Sequence, residues 1–162
     1  EENFVIYRPE ENLNVSGSWN MLMDYADKIE ATHVLMLNDD VYLGRAYHEV
    51  AMIINQNLQM PFINSLMNWS SFILTVDAWK TIGGFDQINF PNYFNDNDYC
   101  YRMRLMGLDR LNSSFLNPEI YRNSMTIAKD PSLNNRFMDY RNKYVQKWGG
   151  LPNDEIFLKP FN

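Results

Sequence analysis

Two acidic clusters contain the side chains whose types and spacing could do chemistry. The first is Asn38-Asp39-Asp40, which interrupts the otherwise apolar stretch 32–43. Hard divalent cations prefer carboxylate oxygens, so this cluster could hold a metal ion or another polar ligand. Side chains alternate on extended backbone, so Asp39 and Asp40 would point to opposite sides and do different jobs. The alternative is that the cluster is simply a solvated turn after a strand.

The second cluster is Asn95-Asp96-Asn97-Asp98, at the start of a predicted helix that Gly107 would end. Acids at a helix N-terminus can cap free N–H groups and complement the macrodipole, and this is the role expected for Asp98. Asp96 is harder to explain in this way, because a neighbouring asparagine could cap equally well. A calcium loop is not supported, since Cys100 stands where an oxygen ligand belongs and the required Gly and Glu are missing.

The elements that must position these clusters are typical of an α/β protein. The stretch 32–43 predicts a strand buried on both faces, in the middle of a parallel sheet, with ligands bound beyond its carboxyl end. A helix opened by Ser16 or Ser18 and running to about Glu30 precedes it, after a short strand at Phe4–Tyr7. This strand, helix, strand order predicts a mostly parallel sheet flanked by helices.

Further elements are predicted from periodicity and turn residues: a helix over 47–58, strands over 61–64, 71–76 and 110–116, and a helix over 132–148. Asp77 is the predicted N-cap of a short helix over 78–82, which Gly83 and Gly84 would close by supplying positive φ. The last helix carries basic side chains that are expected to be solvated, with the alternative that some reach an anionic ligand: Arg136, Arg141, Lys143 and Lys147.

Composition limits the classes of function. The 162 residues, 46% of them hydrophobic, suffice for one domain, 1–162, with a real core. The net charge of −6 and the lack of a basic cluster argue against a nucleic-acid partner. No stretch predicts a membrane span or a signal peptide, and a lone cysteine, Cys100, suits a reducing compartment, so a cytoplasmic location is expected. If the ligand is an anion, a divalent cation held by carboxylates would offset its charge.

Four short motifs occur in order along the chain. They are Asn14-Val-Ser-Gly-Ser-Trp-Asn20 with Ala26; Leu37-Asn-Asp-Asp-Val41; Ile82-Gly-Gly-Phe-Asp86 with Tyr93-Phe-Asn-Asp-Asn-Asp-Tyr-Cys-Tyr-Arg102 and Gly107; and Lys147-Trp-Gly149. Together they resemble the motifs of the family 2-like glycosyltransferases with the GT-A fold, in particular rhamnosyltransferase-type members. The resemblance covers most of residues 14 to 149.

This resemblance implies a metal-dependent hexosyltransferase that moves a sugar from a nucleotide-diphosphate sugar to a carbohydrate or other hydroxyl acceptor. Asp40 would coordinate Mn²⁺ or Mg²⁺ on the donor diphosphate, and Asp39 would contact the ribose or the sugar. Asp96 would be the general base, on the face opposite the leaving group, so that a single displacement inverts the anomeric carbon. Carboxylate oxygens are suitable ligands for such metal ions.

The same resemblance implies further contacts with the substrates. Gly83 and Gly84 would let the backbone approach them closely, and Asp98 would lie in the same binding region. Trp69 could offer its ring to the acceptor sugar.

The chain also departs from the family pattern. Asn95 replaces the Glu that precedes the base, and no histidine stands near Tyr121 to Ser124, where relatives often place a further metal ligand. Asn123 is a weak substitute, and His33 lies within a predicted strand, so metal affinity could be low. The first strand-helix units, which hold the nucleotide base in the family, are not found in the sequence given, which is then either a fragment or an unusually reduced domain. The alternative is therefore a non-catalytic GT-A-like module that binds a sugar or nucleotide, or serves in assembly.

Overall fold

The computed structural model describes residues 5–42, 47–65, 68–108, 110–112, 121–122 and 131–162. These residues form a mixed α/β fold, which confirms the predicted class. The elements are, in order, α1 (Asn14–Lys28), β1 (His33–Leu37), β2 (Val41–Tyr42), α2 (Tyr47–Gln56), β3 (Phe62–Ser65), β4 (Asn68–Thr75), α3 (Val76–Ile82), α4 (Asn95–Leu105), β5 (Arg110–Asn112), β6 (Tyr121–Arg122), a 3-10 helix (Pro131–Arg136) and α5 (Phe137–Trp148).

Four strands form the main sheet in the order β1-β4-β3-β5. The pairs β1/β4 and β4/β3 are antiparallel, and β3/β5 is parallel. Strands β2 and β6 form a separate antiparallel pair. The described strands therefore differ from the expected mostly parallel sheet. The reason is the short connection between β3 and β4, since neighbouring strands joined by a few residues pair antiparallel, whereas parallel pairing needs a long crossover.

The stretch 32–43 is not one continuous strand. It divides into β1 and β2 at a turn, where the N–H of Val41 donates to the carbonyl of Asn38 at 3.2 Å. Among the described strands β1 lies at an end of the main sheet, and most of its side chains are only half-buried. The prediction of a central strand buried on both faces is therefore wrong for these residues.

The start of the chain also differs from the prediction. Residues Val5–Tyr7 are exposed and form no strand. Helix α1 begins at Asn14, whose N–H donates to the side chain of Asn12 at 2.8 Å. Ser16 lies inside the first turn, and its hydroxyl donates to the carbonyl of Phe90 at 2.5 Å. Its oxygen therefore ties α1 to a distant segment and does not cap the helix.

Helix α3 is capped by Thr75 and not by Asp77. The backbone of Thr75 is extended, and its hydroxyl accepts the N–H of Ala78 at 3.1 Å. Asp77 falls within the first turn of the helix. The predicted ends are confirmed at two glycines, because Gly83 ends α3 with a φ of 84° and Gly107 follows α4 with a φ of 64°. Gly84 does not have a positive φ, so that part of the prediction is wrong.

The core has helices on both faces of the main sheet. On one face the sheet packs with α1, α3 and α4 in a cluster rich in aromatic rings, with Trp19, Met23, Phe62, Phe72, Leu74, Phe85, Tyr99 and Met103 among its members. On the other face Val50 of α2 packs against Ile63 and Ile73. A further cluster joins α4 to α5 through Phe90, Phe94, Tyr101, Tyr140, Tyr144 and Trp148. Helix α4 therefore contacts two clusters at once.

In the described part of the chain, no helix combines the length and apolar character that crossing a bilayer requires.

Candidate functional site

Three segments of the chain, which belong to two of the sequence motifs, meet around Trp69, at the beginning of β4. Because β4 is antiparallel to β1, it begins where β1 ends, and the N–H of Asn38 donates to the carbonyl of Ser70 at 3.0 Å. The ring of Trp69 lies 6.0 Å, between centroids, from the ring of Phe85 and 6.0 Å from that of Tyr99. Those two rings stack on each other at 4.2 Å. The residues around Trp69 thus belong to the end of β1, the segment after α3, and α4.

The acidic turn, defined as Asn38–Asp40, connects β1 to β2. Its two aspartates occupy turn positions, so the alternation of extended backbone does not govern them. They nevertheless differ, since Asp39 is exposed and Asp40 is half-buried. Asp39 is thus open to a polar ligand from solvent, whereas Asp40 is partly enclosed by the protein.

The metal site predicted at Asp40 would need further ligands besides this carboxylate. Among the described residues no group of three His, Cys, Asp or Glu side chains could hold a metal ion. Mg²⁺ is often held by one or two carboxylates together with substrate phosphates, so carboxylate oxygens in the turn fit a metal shared with a diphosphate. His33 lies on β1, as expected, but it is half-buried and not part of the core, and its Nδ1 lies 3.0 Å from the hydroxyl of Thr32. Asn123 lies outside the described residues.

The N-terminus of α4 is built by Phe94, Asn95 and Asp96. Phe94 precedes the helix with a φ of 62°, a left-handed conformation that is uncommon for a residue with a side chain. The amide oxygen of Asn95 accepts the N–H of Asp96 at 3.0 Å, and the carboxylate of Asp96 accepts the N–H of Asn97 at 2.8 Å. Asn95 and Asp96 therefore bind the free N–H groups of the first turn, and the capping role predicted for Asp98 is wrong.

Asp96 has a perturbed carboxyl group. Burial raises the pKa of Asp96, and the hydrogen bonds from the N–H groups of Asn97 and of Asp96 itself only partly oppose this rise. A carboxylate with a raised pKa holds a proton more readily near neutral pH. This property suits a general base.

Asp98 is completely buried and is held by three side chains. Its Oδ1 accepts a hydrogen bond from Trp148 Nε1 at 2.9 Å and forms an ion pair with Lys147 Nζ at 2.7 Å, and its Oδ2 accepts a hydrogen bond from Arg102 Nε at 2.9 Å. A direct contact with a substrate would require these partners to move. The substrate-binding role of Asp98 stays a prediction, and its burial favours a role in positioning other residues.

Lys147 is buried, with 5% of its surface exposed, so the expectation of a solvated side chain is wrong for this residue. Its ammonium bridges Asp98 and Asp86, with Nζ 2.7 Å from Asp86 Oδ2. Burying an ammonium is costly unless opposite charges and hydrogen bonds compensate it. Two carboxylates from distant parts of the chain provide that compensation, which is why helical spacing alone could not reveal the burial.

The glycine loop, defined as Gly83–Asp86, is held by side chains from two helices. Arg102 of α4 donates to the carbonyls of Gly83 at 3.4 Å and Gly84 at 3.0 Å. Asn20 of α1 accepts the N–H of Phe85 at 2.7 Å and donates to its carbonyl at 2.9 Å. A Cβ on Gly84 would lie 2.9 Å from Asn20 Oδ1, so a side chain there would crowd Asn20. Sequence reasoning assigned no role to Asn20 or Arg102, although both stand in the quoted motifs.

The ring of Trp69 is mainly part of the core. It is half-buried and packs against the rings of Trp19, Phe62, Phe72, Phe85 and Tyr99. Stacking of an acceptor sugar on this ring stays a prediction. Only the exposed part of the side chain would be available to the sugar.

A cavity of about 160 Å³ lies between α4 and the segment that follows α5. It is lined by Asn97, Cys100, Met103, Arg104, Leu108, Pro152, Asn153 and Glu155. Within it Arg104 and Glu155 form an ion pair at 2.7 Å. Sequence reasoning did not identify this cavity, because the residues after 149 carry no motif that points to α4.

Comparisons with protein-family models, with curated proteins and with solved structures found no match to this chain. Functional assignment therefore depends on the chemistry and geometry of the residues described above.

Proposed function

We propose that the protein is a metal-assisted, inverting glycosyltransferase with a GT-A-like fold. It would transfer a hexosyl group from a nucleotide-diphosphate sugar to a hydroxyl of a carbohydrate or another acceptor. The observation that supports this most strongly is the arrangement around Trp69, which neighbours the acidic turn through Ser70 and contacts both the glycine loop and α4. Three segments that are separate in the sequence are thereby grouped at one end of β4.

Asp96 is the proposed general base. As the acceptor oxygen bonds to the anomeric carbon, the bond from that carbon to the diphosphate oxygen breaks, and the acceptor proton passes to the Asp96 carboxylate. A single displacement of this kind inverts the configuration of the anomeric carbon. The raised pKa of Asp96, caused by burial, brings its proton affinity closer to what this transfer needs.

The acidic turn is the proposed site for the leaving group. Asp40 would hold Mn²⁺ or Mg²⁺, which when bound supplies positive charge to the diphosphate in a protein whose net charge is −6. Asp39 is exposed and can therefore hydrogen-bond a ribose or sugar hydroxyl from the solvent side. An exposed acid suits this contact, because the donor must enter and leave from solvent.

A panel of nucleotide sugars, tested with and without Mn²⁺ and read by released nucleoside diphosphate, tests this proposal. Turnover should require the metal. It should fall by at least about 100-fold in Asp96→Asn, because general-base catalysis contributes about 10²- to 10⁴-fold to the rate. Asp40→Asn should weaken the response to Mn²⁺. Asp139→Asn, an exposed acid on α5, is the matched control and should retain activity. Undiminished turnover in Asp96→Asn would remove Asp96 as the base.

A second candidate is a module that binds a sugar or nucleotide without turnover. The buried Asn95 favours it, because a neutral amide stands where the resembled family has a carboxylate. Isothermal titration calorimetry with the same panel separates the two functions. Binding heat without any released nucleotide, across every donor, would support the module.

A further inference from the structure

One ammonium group joins two parts of the proposed site. Lys147 lies in the last turn of α5, and its Nζ is 2.7 Å from Asp86 Oδ2 and 2.7 Å from Asp98 Oδ1. Asp86 ends the glycine loop, and Asp98 lies in the first turn of α4, two residues after Asp96. The ammonium therefore contacts both the loop and the helix turn that carries the proposed base.

The two segments that Lys147 joins are each held firmly at other points. Arg102 binds Asp98 and also donates to the loop carbonyls, so it forms a second bridge between α4 and the loop. Asp86 accepts two hydrogen bonds from Asn89, at 3.0 Å from its N–H and 2.8 Å from its side chain. Lys147 is therefore one of two side chains that link α4 to the loop, and its ammonium contacts both carboxylates directly.

The arrangement is an expensive way to gain stability alone. The ammonium lies among aromatic rings, 5.2 Å from the Phe90 centroid and 5.1 Å from that of Trp148. In such surroundings an apolar side chain of similar volume often stabilises a protein as well as a buried ion pair does, because desolvating the charges offsets their attraction. What an apolar side chain cannot supply is a directed contact with two carboxylates at once.

We propose that Lys147 is a positioning residue, which sets the glycine loop and the first turn of α4 at one fixed separation so that Asp96 meets its substrate. The inference depends on the proposed function for the identity of the base. The link between Lys147 and the position of Asp96 does not depend on the proposed function, because it can be measured without turnover.

The test uses Lys147→Met, Lys147→Arg and Asp86→Asn, with Arg104→Met as the control. Arg104 forms an ion pair on the same helix as Asp96 but touches neither Asp86 nor Asp98, and its partner Glu155 is also buried, with 3% of its side chain exposed. Asp86→Asn removes only one of the two carboxylates and leaves the ammonium paired with Asp98. It therefore tests the same link if Lys147→Met does not fold.

The first measurement is the ¹³C NMR titration of the Asp96 carboxyl group, together with amide hydrogen exchange of residues 83–86 and 95–98. We expect the Asp96 titration midpoint to shift and exchange in both segments to rise together in Lys147→Met and Asp86→Asn. Lys147→Arg should restore part of the wild-type behaviour, and Arg104→Met should match wild type. An unchanged Asp96 titration and unchanged exchange in folded Asp86→Asn would overturn the inference.

The second measurement is steady-state kinetics with any nucleotide sugar that the wild-type protein turns over. Lys147→Met should lower kcat about 10-fold or more while changing KM less than about 3-fold, because a displaced base affects the chemical step more than donor binding. An equal loss of kcat in Arg104→Met would overturn the inference. If the wild type turns over no donor, the proposed function fails, and the NMR measurements still decide the role of Lys147.

Discussion

The acidic turn and the first turn of α4 carry the same kinds of side chain, but the protein surrounds them differently. In the acidic turn Asp39 is exposed and Asp40 is half-buried. In α4 Asp98 is completely buried, and three side chains from α4 and α5 occupy its oxygens. A cluster of Asn and Asp in a sequence therefore does not reveal its environment, because that environment is built by other elements.

The difference matches the two tasks proposed for the clusters. A carboxylate that contacts an incoming nucleotide sugar must be reachable from solvent, as Asp39 is, and the proposed metal ligand Asp40 is only partly enclosed. A carboxylate that accepts a proton near neutral pH benefits from burial, which raises the pKa of Asp96. The buried neighbour Asp98 then serves to hold the helix turn in place.

The largest expected effect is the loss of stability in Asp98→Asn. This change removes the negative charge that compensates Lys147 and Arg102, and breaking a buried ion pair from one side costs about 3–5 kcal/mol. Asp39→Asn in the exposed turn should change the free energy of unfolding by less than about 0.5 kcal/mol. Urea denaturation at neutral pH measures both. A cost below about 1 kcal/mol for Asp98→Asn would show that the two clusters are held alike.

Gly84→Ala should have the next largest effect, because its Cβ would lie 2.9 Å from Asn20 Oδ1 and displace the side chain that holds Phe85. Overpacking of this kind costs about 1–3 kcal/mol. Gly107→Ala is the comparison, since nothing lies within 4 Å of its Cβ and only the φ of 64° is unfavourable. Its cost should be about 1 kcal/mol. Thermal unfolding of both variants measures the difference, and equal costs would exclude a packing role for Gly84.

Acid should lower the free energy of unfolding through Asp86, whose carboxylate is linked to Asp98 of α4 by Lys147. Burial by itself would raise the pKa of Asp86, but hydrogen bonds from Lys147 and Asn89 outweigh it and hold that pKa below its usual value. A lowered pKa contributes stability above the unfolded-state pKa, and this contribution is lost as the pH falls through the folded-state pKa. Stability measured by denaturation should therefore fall below about pH 4, and less steeply in Asp86→Asn. Identical pH profiles would contradict this contribution.

The smallest expected effect is a gain of stability in Asp96→Asn. Because the pKa of Asp96 is raised in the folded state, stability falls as the pH rises from the unfolded-state pKa through the folded-state pKa. At pH 7 the ionised carboxylate therefore opposes folding. Asparagine can still accept the N–H of Asn97, so it keeps this hydrogen bond without the charge. A small rise in Tm at pH 7 that disappears at pH 3 is expected; a lower Tm at pH 7 would contradict a raised pKa.

Local signals were sufficient for several elements of the fold. The apolar periodicity of α1 and α4, and the glycines that end α3 and α4, depend on residues a few positions apart, and the structure confirms them. The division of 32–43 into two strands was not predictable from its apolar composition. The turn at Asn38 depends on a hydrogen bond within the turn and on a partner strand later in the chain.

The sequence was sufficient to identify the acidic residues of the candidate site, but not the residues that surround them. The sequence places Asp40 and Asp96 in recognisable motifs, whereas the burial of Lys147 depends on Asp86 and Asp98, which lie far away in the chain. Helical spacing places Lys147 with the other basic residues of α5 and carries no information about such partners. Long-range charge compensation decides which charged residue is buried, and one sequence does not display it.

The left-handed residue Phe94 has a consequence for screening variants of this site. Glycine at this position would remove a backbone cost of about 1–2 kcal/mol, and a library scored on local backbone preference would select it. It would also delete a ring whose centroid lies 5.3 Å from that of Phe137 and 5.4 Å from that of Tyr144. Saturation mutagenesis at this codon should therefore enrich aromatic residues over glycine, which would make residue 94 a sequence marker for the junction between α4 and α5.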